Sequence, residues 1–413
     1  MREFLSELGV APQDAQISLA QRSLEAVRKH LGMDVAYVSE FIGDRTVYRE
    51  VDAPGLEHLI AAGDSKSLDD VYCRHILEGR LPEFIPDTGA EPFALSLPIT
   101  QQVPIGSHVS VPIRRADGEL YGMFCCLSAT PRETLNPRDM HIVRAFAGLV
   151  AEDISRDSAE REALALKSAL VQGAFQPGAL DLYLQPICTI ALGQPVSYEA
   201  LSRFRIEPYR TPDVWFSDAA DVGLGVELEC VAIRAALAVL PDLPHPLTLS
   251  VNASAATIVS GAFEALIEDV PAGRLTLELT EHAIVSDYDA LVERLSVIRA
   301  RGIKLAIDDA GAGFSGLQHI LRLRPDIIKL DMALIHDIDV DPARRALASA
   351  MQMFARQTGA TLVAEGVETA QELSTLAALS FACAQGYLLG RPAPAAEILA
   401  GLNAVVAPQS GVA

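Results

Sequence analysis

Basic side chains are scarce: 33 Lys and Arg stand against 54 Asp and Glu, a formal net charge of −21 over 413 residues. A surface that binds long nucleic acid neutralises phosphates with Lys and Arg, so this balance argues against a DNA or RNA partner. A small anionic ligand held by a metal and one or two cationic side chains stays open. Long apolar runs are missing as well. No stretch of about 18 residues is both apolar and free of charge, so no membrane-spanning helix is expected. The opening MREFLSELGV lacks the apolar centre of a signal peptide. Cysteine occurs six times (Cys73, Cys125, Cys126, Cys188, Cys230, Cys383) but never at a zinc-type spacing. The adjacent Cys125 and Cys126 sit in an apolar run and read as buried thiols. Together these absences point to a protein of a reducing cytoplasm.

What is present is enough apolar residue, 50% of the chain, to bury two cores. Residues 15–31 carry apolar positions at helical spacing (Ile17, Ala20, Leu24, Val27, Leu31), and Gly32 is a stop signal. Residues 35–38 and 45–51 read as strands joined by a Gly-Asp turn, and 67–79 as a helix containing Cys73, Arg74 and His75. Residues 106–114 and 119–128 flank Asp117-Gly118, a strong hairpin signal. This order predicts an α+β domain with an antiparallel sheet over residues 1–155. Its stretches YCRHILEGRLPEFIPD and VPIRRADGELYGMFCCLS resemble GAF sensor domains. The resemblance implies a pocket over the sheet for a small ligand of unknown identity. Cys73 is read as a helix Cys partly buried as a small hydrophobe, and His75 as a surface residue.

Asn136-Pro137 opens a helix in a cap-and-first-turn arrangement. Residues 138–172 contain no Pro and no Gly except Gly148, and predict one long connecting helix. Val143, Ala147, Val150 and Ile154 hold a short heptad register that breaks at Asp157 and Arg161. Signalling helix and solvated spacer remain alternatives here.

From about residue 165 to 405, strand-like runs alternate with helical ones, the pattern of a βα repeat. The runs are 180–186, 196–204, 247–253, 275–280, 304–309, 327–331, 361–366 and 384–389. Eight runs over this length predict an α/β TIM-type barrel, with residues 406–413 as a tail. A polar residue ends or nearly ends every run: Gln185, Glu199, Asn252, Glu278, Asp308 with Asp309, Lys329, Glu365 and Gln385. Carboxylates converging on one barrel mouth repel unless cations sit among them. An all-oxygen ligand set selects Mg²⁺ or Mn²⁺ over Zn²⁺. The Asp308-Asp309 pair suits two ions, with one carboxylate bridging them, and two such cations are a recurring device for hydrolysing phosphate esters.

These residues also carry a family resemblance. Tyr198-Glu199-Ala200-Leu201-Ser202-Arg203, Gln185-Pro186-Ile187, Asn252-Ala253-Ser254, Glu278-Leu279-Thr280-Glu281, Asp308-Asp309, Lys329-Leu330-Asp331, Glu365-Gly366-Val367-Glu368-Thr369 and Gln385-Gly386-Tyr387 resemble the EAL domain. That family comprises phosphodiesterases opening cyclic di-GMP to linear pGpG. The resemblance implies that Glu199, Asn252, Glu278 and Asp308 hold one cation, and Asp308, Asp309 and Glu365 a second. By the same resemblance Lys329 orients or helps deprotonate the attacking water, Gln385 binds a cation-linked water, and Gln185 and Arg203 contact substrate. Arg203 would grip a phosphate, which suits a guanidinium fork. Glu281 and Glu368 are structural. Ala310 and His282 stand where the family more often has an aromatic and a small hydroxyl residue. The expected protein is a homodimeric phosphodiesterase regulated by its N-terminal domain. The alternative is a non-catalytic cyclic di-GMP receptor or partner-binding protein with an inactive barrel.

Overall fold

The computed structural model describes residues 18–280, 287–310 and 314–406. Its backbone divides into two compact units, Met1–Ala163 and Leu164–Ala413.

In the first unit the helix Leu19–Leu31 starts on Ser18, whose Oγ accepts from Gln21 N at 2.9 Å. It ends at Gly32 in the left-handed region, and it buries Leu24, Val27 and Leu31. Six strands follow: β1 (Val35–Ile42), β2 (Arg45–Asp52), β3 (Ser65–Ser67), β4 (Phe84–Ile85), β5 (Ser107–Arg114) and β6 (Leu120–Ser128). They form one antiparallel sheet in the order β3-β2-β1-β6-β5-β4. Apolar layers cover both faces, so successive residues of a strand are buried alternately on each side. Cys126 packs with Ala36, Val38 and Phe124, whereas Cys125 packs with Val35, Tyr37 and Met123. Both thiols are fully buried, as expected.

Three expectations fail in this unit. The helix predicted over residues 67–79 is confined to Tyr72–Leu77, because Ser65–Ser67 is drawn into the sheet beside β2. His75 is not a surface residue: it is buried, edge-on to Phe93 at 5.0 Å, with Nε2 3.1 Å from Asp69 O. Cys73 is wholly rather than partly buried.

The long helix is real and runs Pro137–Gly173, 37 residues. Its heptad positions Val143, Ala147 and Val150 are buried in the first unit's own core. Leu164 and Leu166 further along are 48% and 65% exposed. Val171 then joins a cluster with Phe204, Trp215 and Leu228 in the second unit.

The second unit is an eight-stranded closed barrel. Its strands are β7 (Leu180–Thr189), β8 (Pro195–Phe204), β9 (Thr248–Asn252), β10 (Leu275–Thr280), β11 (Lys304–Ala310), β12 (Ile327–Leu330), β13 (Thr361–Ala364) and β14 (Cys383–Ala384). Pairing of β14 with β7 closes the ring, and β15 (Ala393–Pro394) pairs further along the same edge of β7, opposite β8. The strands β8 to β14 are mutually parallel. Unlike a uniform βα repeat, β7 runs antiparallel to both neighbours. The loop from Thr189 to Gln194 is a tight turn, with no room for a crossover helix. Of the run 384–389, Ala384 alone joins the ladder, together with Cys383 before it. Between β8 and β9 the chain forms two helices, Pro212–Asp221 and Gly225–Val239. Among the described residues no helix is long and apolar enough to cross a membrane.

Period-two alternation sorts the barrel strands. Leu249, Val251, Leu275, Leu277, Leu279, Leu305, Ile307, Ile328, Leu330, Leu362 and Ala364 belong to one apolar layer shared with the helices. The intervening residues Ser250, Thr276, Glu278 and Lys329 are buried on the opposite face, inside the barrel.

The segment after β13 is tied down by Glu372. Thr369 and Glu372 form a reciprocal capping box on the helix Ala370–Ala378. The Glu372 carboxylate also accepts from Glu368 N at 2.9 Å and Asp337 N at 3.3 Å, and His336 Nδ1 lies 3.5 Å away. Burial raises this acid, but the backbone N–H groups of Glu368, Thr369 and Asp337 and the Thr369 hydroxyl more than offset that, and its pKa is lowered. A depressed carboxylate stabilises the fold above its unfolded pKa, and the contribution is lost as pH falls through the folded value. We expect Glu372→Gln to cost about 1.5–3 kcal/mol at pH 7, the range for hydrogen bonds to charged groups. Denaturant midpoints of wild type and variant should converge as pH falls through the folded pKa of Glu372, which lies below the ordinary glutamate value.

Candidate active site

The site is assembled on the inward face of six strands. Each inward residue near a strand's C-terminal end points to the barrel axis, where Lys329 of β12 is 1% exposed. Its ammonium lies 3.3 Å from Glu199 Oε2, 2.8 Å from Glu278 Oε2, 3.1 Å from Asp308 Oδ1 and 2.8 Å from Glu365 Oε1. An ammonium has three protons, so one of the four carboxylates approaches as an ion pair alone. Asn252 Nδ2 donates to Glu199 Oε1 at 3.1 Å, and Gln385 Nε2 donates to Glu199 Oε2 at 2.7 Å and Gln185 Oε1 at 3.0 Å. Gln185 Nε2 in turn donates to Gly390 O at 3.2 Å. The in-register pair Gln185↔Glu199 brings those two side chains together across the hairpin.

Four carboxylates around one ammonium would leave three negative charges without a counterion if all were ionised, and the acids respond by holding their protons more tightly. Burial pushes the Glu278 carboxyl up to about 8, with Glu199 and Asp308 adding to the rise and Lys329 opposing it. Burial raises Glu365 in the same way, against Lys329 and reinforced by Asp308 and Glu199. For Lys329, burial disfavours the charge, yet Glu199, Glu278, Glu365 and Asp308 together hold its pKa well above the usual lysine value. A cation added to this cluster relieves the same imbalance. Oxygens of Glu199, Glu278 and Asp308 lie within 4.8 Å of one another. Gln385 Oε1 is buried and has no hydrogen-bond partner among the described residues. An all-oxygen donor set, excess negative charge and an orphaned amide oxygen together fit hard divalent cations.

Two cavities flank the cluster. One of about 450 Å³ is lined by Arg203, Asn252 and Asp308. There Arg203 donates to Ser202 O at 2.7 Å, with its guanidinium 5.4 Å from the centre of the Tyr183 ring. The other, about 260 Å³, is lined by Gln185, Glu199, Glu365, Glu368, Gln385 and Tyr387. The structure therefore brings together Glu199, Asn252, Glu278, Asp308, Lys329, Glu365, Gln385 and Gln185. It places Arg203 and Glu368 on the rims. The Asp309 side chain lies outside the described residues, as do Glu281, His282 and residues 311–313. Ala310 closes β11 and is 1% exposed. Gly386 permits a close approach: a Cβ there would sit 2.2 Å from Val367 N and O. That contact docks the Gln385 turn on the segment after Glu365, a role for glycine that the sequence reading did not single out.

The EAL domain family model matches residues 167–392 and the GAF domain model residues 17–154. The cyclic di-GMP phosphodiesterase NbdA of Pseudomonas aeruginosa is 33% identical over 237 residues, 54% of this chain and 30% of NbdA. An uncharacterized signaling protein of Caulobacter vibrioides is 32% identical over 267 residues, 62% of this chain and 33% of its own length. The chain thus spans about a third of the length of these curated relatives. Among solved structures, the PaMucR phosphodiesterase in complex with c-di-GMP superposes with a TM-score of 0.51 at 28% identity, over 56% of this chain and 99% of that one. The EAL domain protein of Listeria monocytogenes EGD-e, at 23% identity and a TM-score of 0.52 over 57% of this chain and 98% of that one, shares the fold.

Removing one partner of a buried ion pair is strongly destabilising, at about 3–5 kcal/mol. We expect Lys329→Met to lose stability of that order in the presence of a chelator, as measured by urea unfolding. Added Mn²⁺ should recover part of the loss. A variant as stable as wild type in chelator would contradict the account of Lys329 as the counterion of the cluster.

Proposed function

Given that this chain belongs to the EAL domain family, we propose that its barrel hydrolyses cyclic di-GMP to linear pGpG, using two divalent cations, Mg²⁺ or Mn²⁺. The observation that carries this reading is the convergence of Glu199, Glu278, Asp308 and Glu365 on buried Lys329, with Asn252 and Gln385 bonded to the same Glu199. Glu199, Asn252, Glu278 and Asp308 would hold one cation; Asp308, Asp309 and Glu365 would hold the other. When bound, such ions polarise a phosphodiester and make water a stronger nucleophile. Arg203, at the wall of the larger cavity, grips a substrate phosphate. Gln185 and Gln385 fix the orientation of Glu199 from the opposite side. Lys329, within 3.3 Å of Glu199, Glu278, Asp308 and Glu365, would orient or help deprotonate the attacking water. Water adds to phosphorus, one ring P–O bond breaks, and the linear dinucleotide leaves. The non-catalytic alternative loses ground because a barrel that merely binds has no need of this acidic cluster.

The first unit is proposed to regulate the barrel from a cavity of about 340 Å³ lined by Tyr37, Tyr48, Tyr72 and His108. Asp34 and Asp64 also line it, against one Lys66. Aromatic walls and an acidic balance favour an uncharged aromatic ligand over a phosphate-bearing one. A cytoplasmic homodimer is part of the same reading, supported by the exposed Leu164 and Leu166 on the long helix.

Incubation with cyclic di-GMP and Mg²⁺ or Mn²⁺, followed by chromatography, should yield pGpG. Ca²⁺ alone should not support turnover, because its longer bonds and higher coordination number misfit the cluster. Glu199→Ala and Asp308→Ala should lose hydrolysis with folding intact by circular dichroism, whereas Arg203→Ala should chiefly raise KM. Binding of cyclic di-GMP without any product in both metals would favour the receptor alternative.

Deletion of residues 1–160 should change kcat without abolishing it, because every residue of the acidic cluster lies downstream. Identical kinetics for the full and shortened chains would remove the regulatory role of the first unit.

A further inference from the structure

We propose that Glu229, on the helix Gly225–Val239, is a positioning residue for the cation site, acting through Ser254 on Asn252. The proposal rests on the cation-binding reading above. Asn252 is the last residue of β9, and its two sides are held unequally. Toward β10 the ladder continues to the pair Glu278↔Asn252, and Ala253 N then donates to Glu278 O at 3.0 Å. Toward β8 the ladder stops at Ser250, paired with Glu199, two residues short of Asn252. On that side the described contact of Asn252 is one amide bond, Nδ2 to Glu199 Oε1 at 3.1 Å.

Glu229 supplies the missing anchor. Its Oε2 accepts from Ser254 N at 2.8 Å and from Ser254 Oγ at 3.0 Å. The same Ser254 hydroxyl accepts from Thr257 N at 3.3 Å and so starts the helix Ala255–Val259. A single carboxylate oxygen therefore fixes the residue two positions beyond Asn252 and the mouth of the following helix. Glu229 also lines the 450 Å³ cavity shared by Arg203, Asn252 and Asp308. The carboxylates around Lys329 are those of Glu199, Glu278, Asp308 and Glu365, and Glu229 stands outside that ring among the described residues. Placing another carboxylate beside an already electronegative site is costly, which is why a bland role in solubility does not account for it. Residues that orient metal ligands from one shell out typically govern 10–100-fold in affinity or activity.

The test uses the full chain. Mn²⁺ binding is measured by calorimetry without substrate, alongside kcat and KM for cyclic di-GMP at saturating Mn²⁺ and the metal-free Tm. Glu229→Ala should weaken Mn²⁺ binding about tenfold or more, and Glu229→Gln, which keeps an acceptor oxygen, should recover most of it. Ser254→Ala, which removes one of the two donors, should shift Mn²⁺ binding in the same direction by less. A Glu229→Ala protein with lowered Tm but unchanged Mn²⁺ affinity would show a purely structural role and overturn the proposal. So would a Glu229→Gln protein as impaired as Glu229→Ala. If Glu229→Ala does not fold, Ser254→Ala decides: wild-type Mn²⁺ affinity there refutes the proposal. Mn²⁺ binding that depends on Glu229 in a chain without hydrolytic activity would sustain this inference and reject the catalytic reading.

Discussion

Lys329 sits at the centre of a barrel with four carboxylates within 3.3 Å of its ammonium. Moving charges out of water costs several kcal/mol per ion even after relaxation. An isolated carboxylate at the position of Glu278, 1% exposed, would be forced to protonate. Lys329 is what lets a group of acids occupy a barrel interior, and it does so incompletely. The remaining negative charge is the chemical potential that a divalent cation can use. Stability and function are therefore opposed here: the cluster is tolerated in the fold because one lysine compensates part of it, and useful because the compensation is partial.

That arrangement depends on strand parity. On β8 to β13 the apolar residues face the surrounding helices and form the main core, and the intervening residues project inward. A one-residue register slip on β12 would send Lys329 into that apolar layer and bring Leu330 to the axis. Ring closure matters equally. Gln385 and Gln185 reach Glu199 only because β14 pairs with β7 and β7 pairs with β8. The antiparallel β7 is thus part of the site's construction: its hairpin with β8 sets the Gln185↔Glu199 register without an intervening helix.

The outer elements hold strand ends where the ladders run out. Glu372 collects backbone N–H groups from the segments after β12 and β13. Glu229 does the same for Ser254 after β9. Both are acids that accept from backbone donors, so each joins a helix to the segment following a barrel strand by hydrogen bonds to one side chain. In the first unit, by contrast, apolar layers cover both faces of the sheet. The long helix contributes its first heptads to that core, so the register visible around Val143 and Val150 is explained by burial within the unit.

The eight-run barrel and its inward polar residues were legible in the sequence, because strand parity leaves a local pattern, although Gln185 and Glu199 sit mid-strand on β7 and β8 rather than at a strand's end. Glu199, Asn252, Glu278, Asp308, Lys329 and Glu365 could be named from such patterns, as could the helix Pro137–Gly173 from its lack of breakers. Other features were decided by tertiary structure. The helix predicted over 67–79 shrank to Tyr72–Leu77 because β2 offered Ser65–Ser67 an edge to pair with. His75 became buried because Phe93 packs on its ring. The direction of β7, the orphaned Gln385 Oε1 and the grip of Glu229 on Ser254 all rest on contacts between residues far apart in the chain. Local sequence records which side of its own strand a residue occupies; which groups meet across the barrel is set by closure of the ring, and no local pattern encodes that.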